Sequence, residues 1–176
     1  MPAVAKTIAK KKPTITLQRT RNPLNEAQRV ELVRALQPVQ CAGIELYLQL
    51  KNAHWNVRGG GFAGLHSLFD DTARDVIEIA DSLAERISIL GGEPIATIQK
   101  LSVVPHLADA PVGMKVQEEF VKLISDRLSF YVQMLRDAEE SFQKNYDPVS
   151  GDICTRAAGV LEKRIWMTES HLPNRI

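Results

Sequence analysis

Two histidines and three carboxylates stand at spacings that suit a metal ion. The stretch LKNAHWNVRGGGFAGLHSLFDD, residues 50–71, carries His54 before a run of three glycines, then His66 and Asp70 four apart after it. Asp81 and Glu85, again four apart, follow. Imidazole nitrogen with carboxylate oxygen is a donor set for iron, zinc or manganese rather than for soft copper(I).

On a helix turning ~100° per residue, His66, Asp70, Asp81 and Glu85 fall within ~100° of one another. Their centre lies ~120° from the apolar stripe of Leu65, Leu68, Phe69, Thr72, Ala73, Val76, Ala80, Leu83, Ala84 and Ile87. Asp70 and Asp81 are 11 residues apart, or ~16.5 Å along the axis, whereas first-row metals need ligands at ~2.0–2.3 Å. The two pairs therefore cannot close on one ion within one chain. They can close across a two-fold axis near residues 75 and 76, where 66 and 70 of one copy face 85 and 81 of the other, with Arg74 and Ile77 beside the axis. A solvated face with Asp70, Asp81 and Glu85 as surface charges is the alternative. His54, carried close to the second helix by the glycine break, favours the metal reading, although alone it would read as a packed core histidine.

These residues need long helices to hold them. Asn25 with Gln28 forms a capping box for a helix expected over Glu26 to Val57, kinked at Pro38. Around Ile44, Leu46, Tyr47, Leu48 and Leu50 it is apolar on more than one side, as for a helix covered by more than one neighbour. A second helix spans Phe62 to Leu90 and stops at Gly91-Gly92. Residues 93–113, with three prolines, form a long connection with room for a short helix. A third helix runs from Met114 to Lys144 and a fourth from Asp152 to Leu172, separated by the turn NYDPVSGD. Four long helices with one long connection indicate an all-α, ferritin-like four-helix bundle over residues 23–176. Trp166 is expected in its core, and His106 and His171 read as structural or surface residues.

The formal net charge of +1 hides an asymmetry. Residues 1–22 form a basic, flexible arm with Lys6, Lys10, Lys11, Lys12, Arg19 and Arg21 and no acid, so residues 26–176 carry a net −5. Such an arm suits a polyanion, bound without sequence preference and weakened by salt; a purely solubilising arm is the alternative. No apolar run reaches the ~18 residues of a membrane span, and no secretory signal opens the chain. Two isolated cysteines, Cys41 and Cys154, fit small core residues in a cytoplasmic protein.

The element KNAHWNVRGGGFAGLHSLFD with the later DSLAER, and DICTRAAGVLEKRIW at 152–166, resembles the Dps family of the ferritin superfamily, the DNA-binding proteins from starved cells. The resemblance spans about Leu17 to Leu172 and implies a homo-dodecamer built from two-fold dimers around a hollow centre. It implies intersubunit ferroxidase sites with His54, His66 and Asp70 from one subunit and Asp81 and Glu85 from its partner, and Trp55 as a sink for oxidising equivalents. It also implies oxidation of Fe(II) by hydrogen peroxide, storage of the Fe(III) mineral, and an acidic pore with Asp152, and more weakly Asp147, as candidates. Zinc suits the same donors. Glu-x-x-His, the pattern of ordinary ferritins, occurs nowhere in the chain. The runner-up reading is a nucleoid-compacting structural protein, binding DNA through its arm, with a vestigial or zinc-occupied metal site.

Overall fold

The computed structural model describes residues 15–103 and 107–172. Along them run five helices: α1 (Glu26–Asn56), α2 (Phe62–Ile89), α3 (Ile98–Leu101), α4 (Gln117–Lys144) and α5 (Pro148–Glu169). α1 packs on α2 and α4, and α5 packs on α4 and α2, so the four long helices close a bundle. The short α3 lies in the connection between α2 and α4, as expected.

Helix ends follow from local chemistry. The Asn25 side chain accepts from the Gln28 N–H at 3.0 Å, and the Gln28 side chain accepts from the Asn25 N–H at 3.1 Å. These two bonds satisfy donors that the first turn leaves orphaned. α2 ends in a Schellman motif: the Gly92 N–H donates to Ile87 O and the Gly91 N–H to Ser88 O, with Gly91 at φ +88. Arg29 adds a cation at this helix end by donating to Leu90 O at 2.9 Å. α5 begins at Pro148 rather than at the expected Asp152, because Asp147 caps it and a proline at the first helical position has no N–H to lose.

Every residue expected on the core stripe of α2 is buried except Ala84, which is half-buried. They meet Leu36, Leu46 and Leu50 of α1, Phe120, Tyr131 and Phe142 of α4 and Leu161 of α5, all essentially inaccessible. α1 runs unbroken through Pro38. Its buried amides clamp the long connection: Gln40 donates to Ile95 O and Gln49 to Ala108 O, both at 3.0 Å. Cys41 and Cys154 are buried and free, as expected.

Leu48 is half exposed and Ile44 and Tyr47 only partly buried, while α1 is covered by both α2 and α4, the more than one neighbour expected. Two expectations need correction. Trp166 is 58% exposed, because it stands on the face of α5 opposite Leu161 and Thr168. The arm expected over residues 1–22 is not free along its whole length. Ile15 and Leu17 pack against the core, and the Gln18 N–H donates to Gly91 O at 2.7 Å. Burying two aliphatic side chains and pairing a backbone donor outweighs the disorder that composition alone favours.

Gly91→Ala tests this docking. A Cβ there would stand 2.7 Å from the Gln18 carbonyl oxygen, in a backbone conformation that L side chains rarely adopt. The strain alone costs about 1–2 kcal/mol. The expected result is a lower urea midpoint together with new proteolytic cleavage between Ile15 and Asn22.

Candidate metal centre

The last turn of α1 and the first turns of α2 are joined by Val57–Gly61. Gly59 takes φ +118, and the Phe62 N–H donates to Gly59 O at 3.1 Å to close the turn. This brings His54 and His66 face to face, ring centroids 3.7 Å apart and planes 24° from parallel. His54 Nδ1 lies 2.7 Å from His66 O, and His66 Nδ1 lies 2.9 Å from His54 O. A carbonyl oxygen only accepts, so each Nδ1 carries the hydrogen, and in the neutral ring Nε2 keeps its lone pair. Metal-binding imidazoles need this tautomer, with a carbonyl behind the ring fixing its orientation. The His54 carbonyl is also one of the four at the end of α1 that have no helical donor. One turn geometry therefore serves both histidines.

Asp70 is about one-third exposed and bonded to the Lys51 ammonium at 2.6 Å and to Arg74 at 3.1 Å. Lys51 above all, helped by Arg74 and against partial desolvation, holds the Asp70 carboxyl below the usual carboxylate range. Lys51 also sits 5.7 Å from the centre of the Trp55 ring, within reach of a cation–π attraction. Trp55 is 68% exposed, and Phe62, 5.1 Å from the His66 ring, is 45% exposed. Ile44, Leu48, Lys51 and Trp55 recur at helical spacing and make a second face on α1, continuous with Phe62, His66 and Asp70 of α2.

The structure brings His54 and His66 together and places Asp70 one turn beyond His66 on α2, where Lys51 and Arg74 hold it. It leaves Asp81 and Glu85 exposed farther along α2, without an ion pair among the described residues. Among those residues, no three His, Cys, Asp or Glu side chains of this chain are placed to hold one ion. The histidine half and the acid half are separate within a chain, as the helical rise requires.

Of the pore candidates, Asp147 is corrected. It is only 3% exposed, its carboxylate accepts from Arg86 at 2.7 Å and from the Ser150 hydroxyl at 2.5 Å, and it cannot line an aqueous path. Asp152, in the first turns of α5, is exposed and pairs with Arg156 at 2.8 Å. Arg19 and Arg21 are exposed; Lys6, Lys10, Lys11, Lys12 and His106 lie outside the described residues. Sequence reasoning assigned no role to Lys51, although it stands one turn before His54 on the same face. It also missed Arg86 and Gln117, whose partners are distant in sequence.

A family model described as ferritin-like domain matches residues 33–175. A "DNA protection during starvation protein" of Brevibacillus brevis is 32% identical over 143 residues, covering 81% of this chain and 95% of that protein. A protein of the same description from Agrobacterium fabrum is 27% identical over 157 residues, covering 89% and 97%. The solved structure "Mycobacterium smegmatis Dps tetragonal form" superposes with a TM-score of 0.84 at 28% identity, covering 90% of this chain and 96% of that one.

Proposed function

Because the chain belongs to the Dps family of the ferritin superfamily, we propose that it oxidises ferrous iron with hydrogen peroxide at sites shared by two copies. On this reading it stores the ferric mineral in a hollow homo-dodecamer built from two-fold dimers, and so protects DNA from oxidative damage. The observation that carries the reading is the reciprocal histidine–carbonyl pair, which in the neutral rings leaves both Nε2 lone pairs free for a metal, with Asp70 one turn beyond His66 on α2.

Fe(II) is the substrate. His54, His66 and Asp70 of one copy and Asp81 and Glu85 of the other receive it. The half-exposed apolar face around Leu48, Trp55 and Phe62 supports burial of this region against that copy. In the overall reaction two Fe(II) give one electron each, the O–O bond of hydrogen peroxide breaks, and two protons are taken up from solvent, so that its two oxygens leave as two waters. Carboxylate oxygens favour the harder Fe(III). Trp55, adjacent to His54, is placed to take up stray oxidising equivalents, and Asp152 is retained as the pore candidate. Cytoplasmic placement near the nucleoid fits this activity; no helix of the described residues is long and apolar enough to cross a membrane.

The test mixes the purified protein with Fe(II) and peroxide and follows mineral formation, with light scattering for mass. Oxidation no faster than buffer, or a monomer in solution, overturns the reading. Tight zinc binding with no iron oxidation would favour the structural alternative.

Lys51 competes with the metal for Asp70. A partly exposed ion pair contributes about 0.2–1 kcal/mol. Lys51→Met is therefore expected to tighten Zn(II) binding by a factor of about 1.4 to 5 by titration calorimetry. Weaker binding would show that Lys51 orients Asp70 instead.

Sequence-independent DNA binding is proposed for the arm cations. Because residues 15–22 include contacts to the bundle, the informative truncation begins at residue 14 rather than at 23. Loss of low-salt gel retardation in that variant, with assembly intact, supports the lysines of the arm; unchanged retardation rules out those lysines.

A further inference from the structure

The turn that sets both histidines is held from outside by one side chain. The Gly61 N–H donates to Gln117 Oε1 at 2.8 Å. A Cβ added at Gly59 or at Gly61 would stand 3.0 Å from that same oxygen, so the glycine run makes room for the amide. Gln117 is the first residue of α4 and is itself well anchored. Glu119 accepts from the Lys115 and Val116 N–H groups at 2.7 and 3.2 Å, and Phe120 and Val121 are buried in the core. From Gly61 the link to the site is short: the Leu65 N–H donates to Gly61 O at 3.0 Å, and His66 is the next residue.

We infer that Gln117 is a positioning residue for the metal centre, pinning the Gly59–Gly61 turn so that the end of α1 and the start of α2 meet in the one register that forms both histidine–carbonyl bonds. The inference rests on reading His54 and His66 as metal ligands. Hydrogen bonds weaken steeply once distance and angle leave a narrow range. A shift of α2 by a fraction of an ångström therefore loosens both rings together, since each ring is held by the other residue's backbone. The glutamine touches no ligand atom, so its effect reaches the metal only through the turn.

The test uses the full-length assembled protein, Zn(II) calorimetry, and the visible spectrum of bound Co(II) as a report on coordination geometry. Gln117→Leu, which keeps bulk and removes the acceptor, is expected to weaken Zn(II) binding about tenfold, in line with the loss of groups that orient metal-bound histidines. It should also change the Co(II) spectrum. Gln117→Glu, which keeps the acceptor, is expected to restore the wild-type spectrum. If Gln117→Leu does not assemble, Gln117→Met replaces it with the same expectation. Unchanged affinity and spectrum in the acceptor-free variant, or failure of the glutamate to restore the spectrum, would overturn the positioning role. Absence of a His54-dependent Zn(II) signal in the wild type would instead overturn the ligand reading on which it rests.

Discussion

Co-assembly of a His54→Ala chain with an Asp81→Ala chain is expected to restore iron oxidation that neither variant shows alone. Each single variant removes one half of every site, so each should oxidise Fe(II) at close to the buffer rate. In a mixed two-fold pair, one site combines both lesions. The other takes its histidines from the Asp81→Ala chain and its acids from the His54→Ala chain, and is intact. Random pairing makes about half of the dimers mixed, each with one intact site of two, so about a quarter of the wild-type rate should return. The expectation follows from the ~16.5 Å between Asp70 and Asp81 along α2 and from the absence, among the described residues, of a three-ligand group within one chain. A site contained in one chain would give no recovery on mixing. The measurement is Fe(II) oxidation followed optically after co-expression, with light scattering to verify assembly.

Asp147→Ala should be the most damaging change to stability outside the apolar core. Arg86 reaches from α2 to the start of α5, where its side chain is 8% exposed and that of Asp147 3%. Besides the 2.7 Å ion pair, Arg86 Nε donates to Ser150 Oγ at 3.0 Å, and the Ser150 hydroxyl donates to Asp147 at 2.5 Å. Removing the carboxylate leaves a buried guanidinium uncompensated and strips α5 of its cap. Breaking a buried pair in this way costs about 3–5 kcal/mol. Urea unfolding is the check, and a loss below about 1 kcal/mol would show that Arg86 finds another partner or water.

The same network shapes the acid limit. Burial pushes the Asp147 carboxyl up, but the bonds and charge of Arg86 together with Ser150 outweigh it and hold the group below the usual carboxylate range. A depressed folded value contributes stability above the unfolded carboxyl value. That stability is lost as pH falls through the folded value, in the region below about pH 4. Asp147→Asn should therefore flatten the acid side of the stability profile.

Much of this molecule was legible along the chain because helical periodicity is a local property. The Asn25 and Gly91-Gly92 signals act within one turn, and they placed the ends of α1 and α2 to within a residue. The 100° step separated the core stripe of α2 from the face with His66, Asp70, Asp81 and Glu85. The 1.5 Å rise showed that the pair His66 and Asp70 and the pair Asp81 and Glu85 lie too far apart to meet on one ion within a chain. Those conclusions need only the residue types and their spacing.

What spacing could not supply was the identity of partners far apart in sequence. Asp147 was the weaker pore candidate, and nothing near it in the chain shows that Arg86, 61 residues away, occupies its carboxylate. Lys51 reached Asp70, and Gln117 reached Gly61, only once α1, α2 and α4 had packed together. Residues 15–22 read as a free arm because nothing local shows that Gly91 O is waiting for a donor. The linear chain determined which side chains share a helical face, since that depends on backbone geometry repeated at every residue. Tertiary structure decided which charges and backbone groups those faces meet, because burial makes an unpaired polar group costly and only packing determines which partner is within reach.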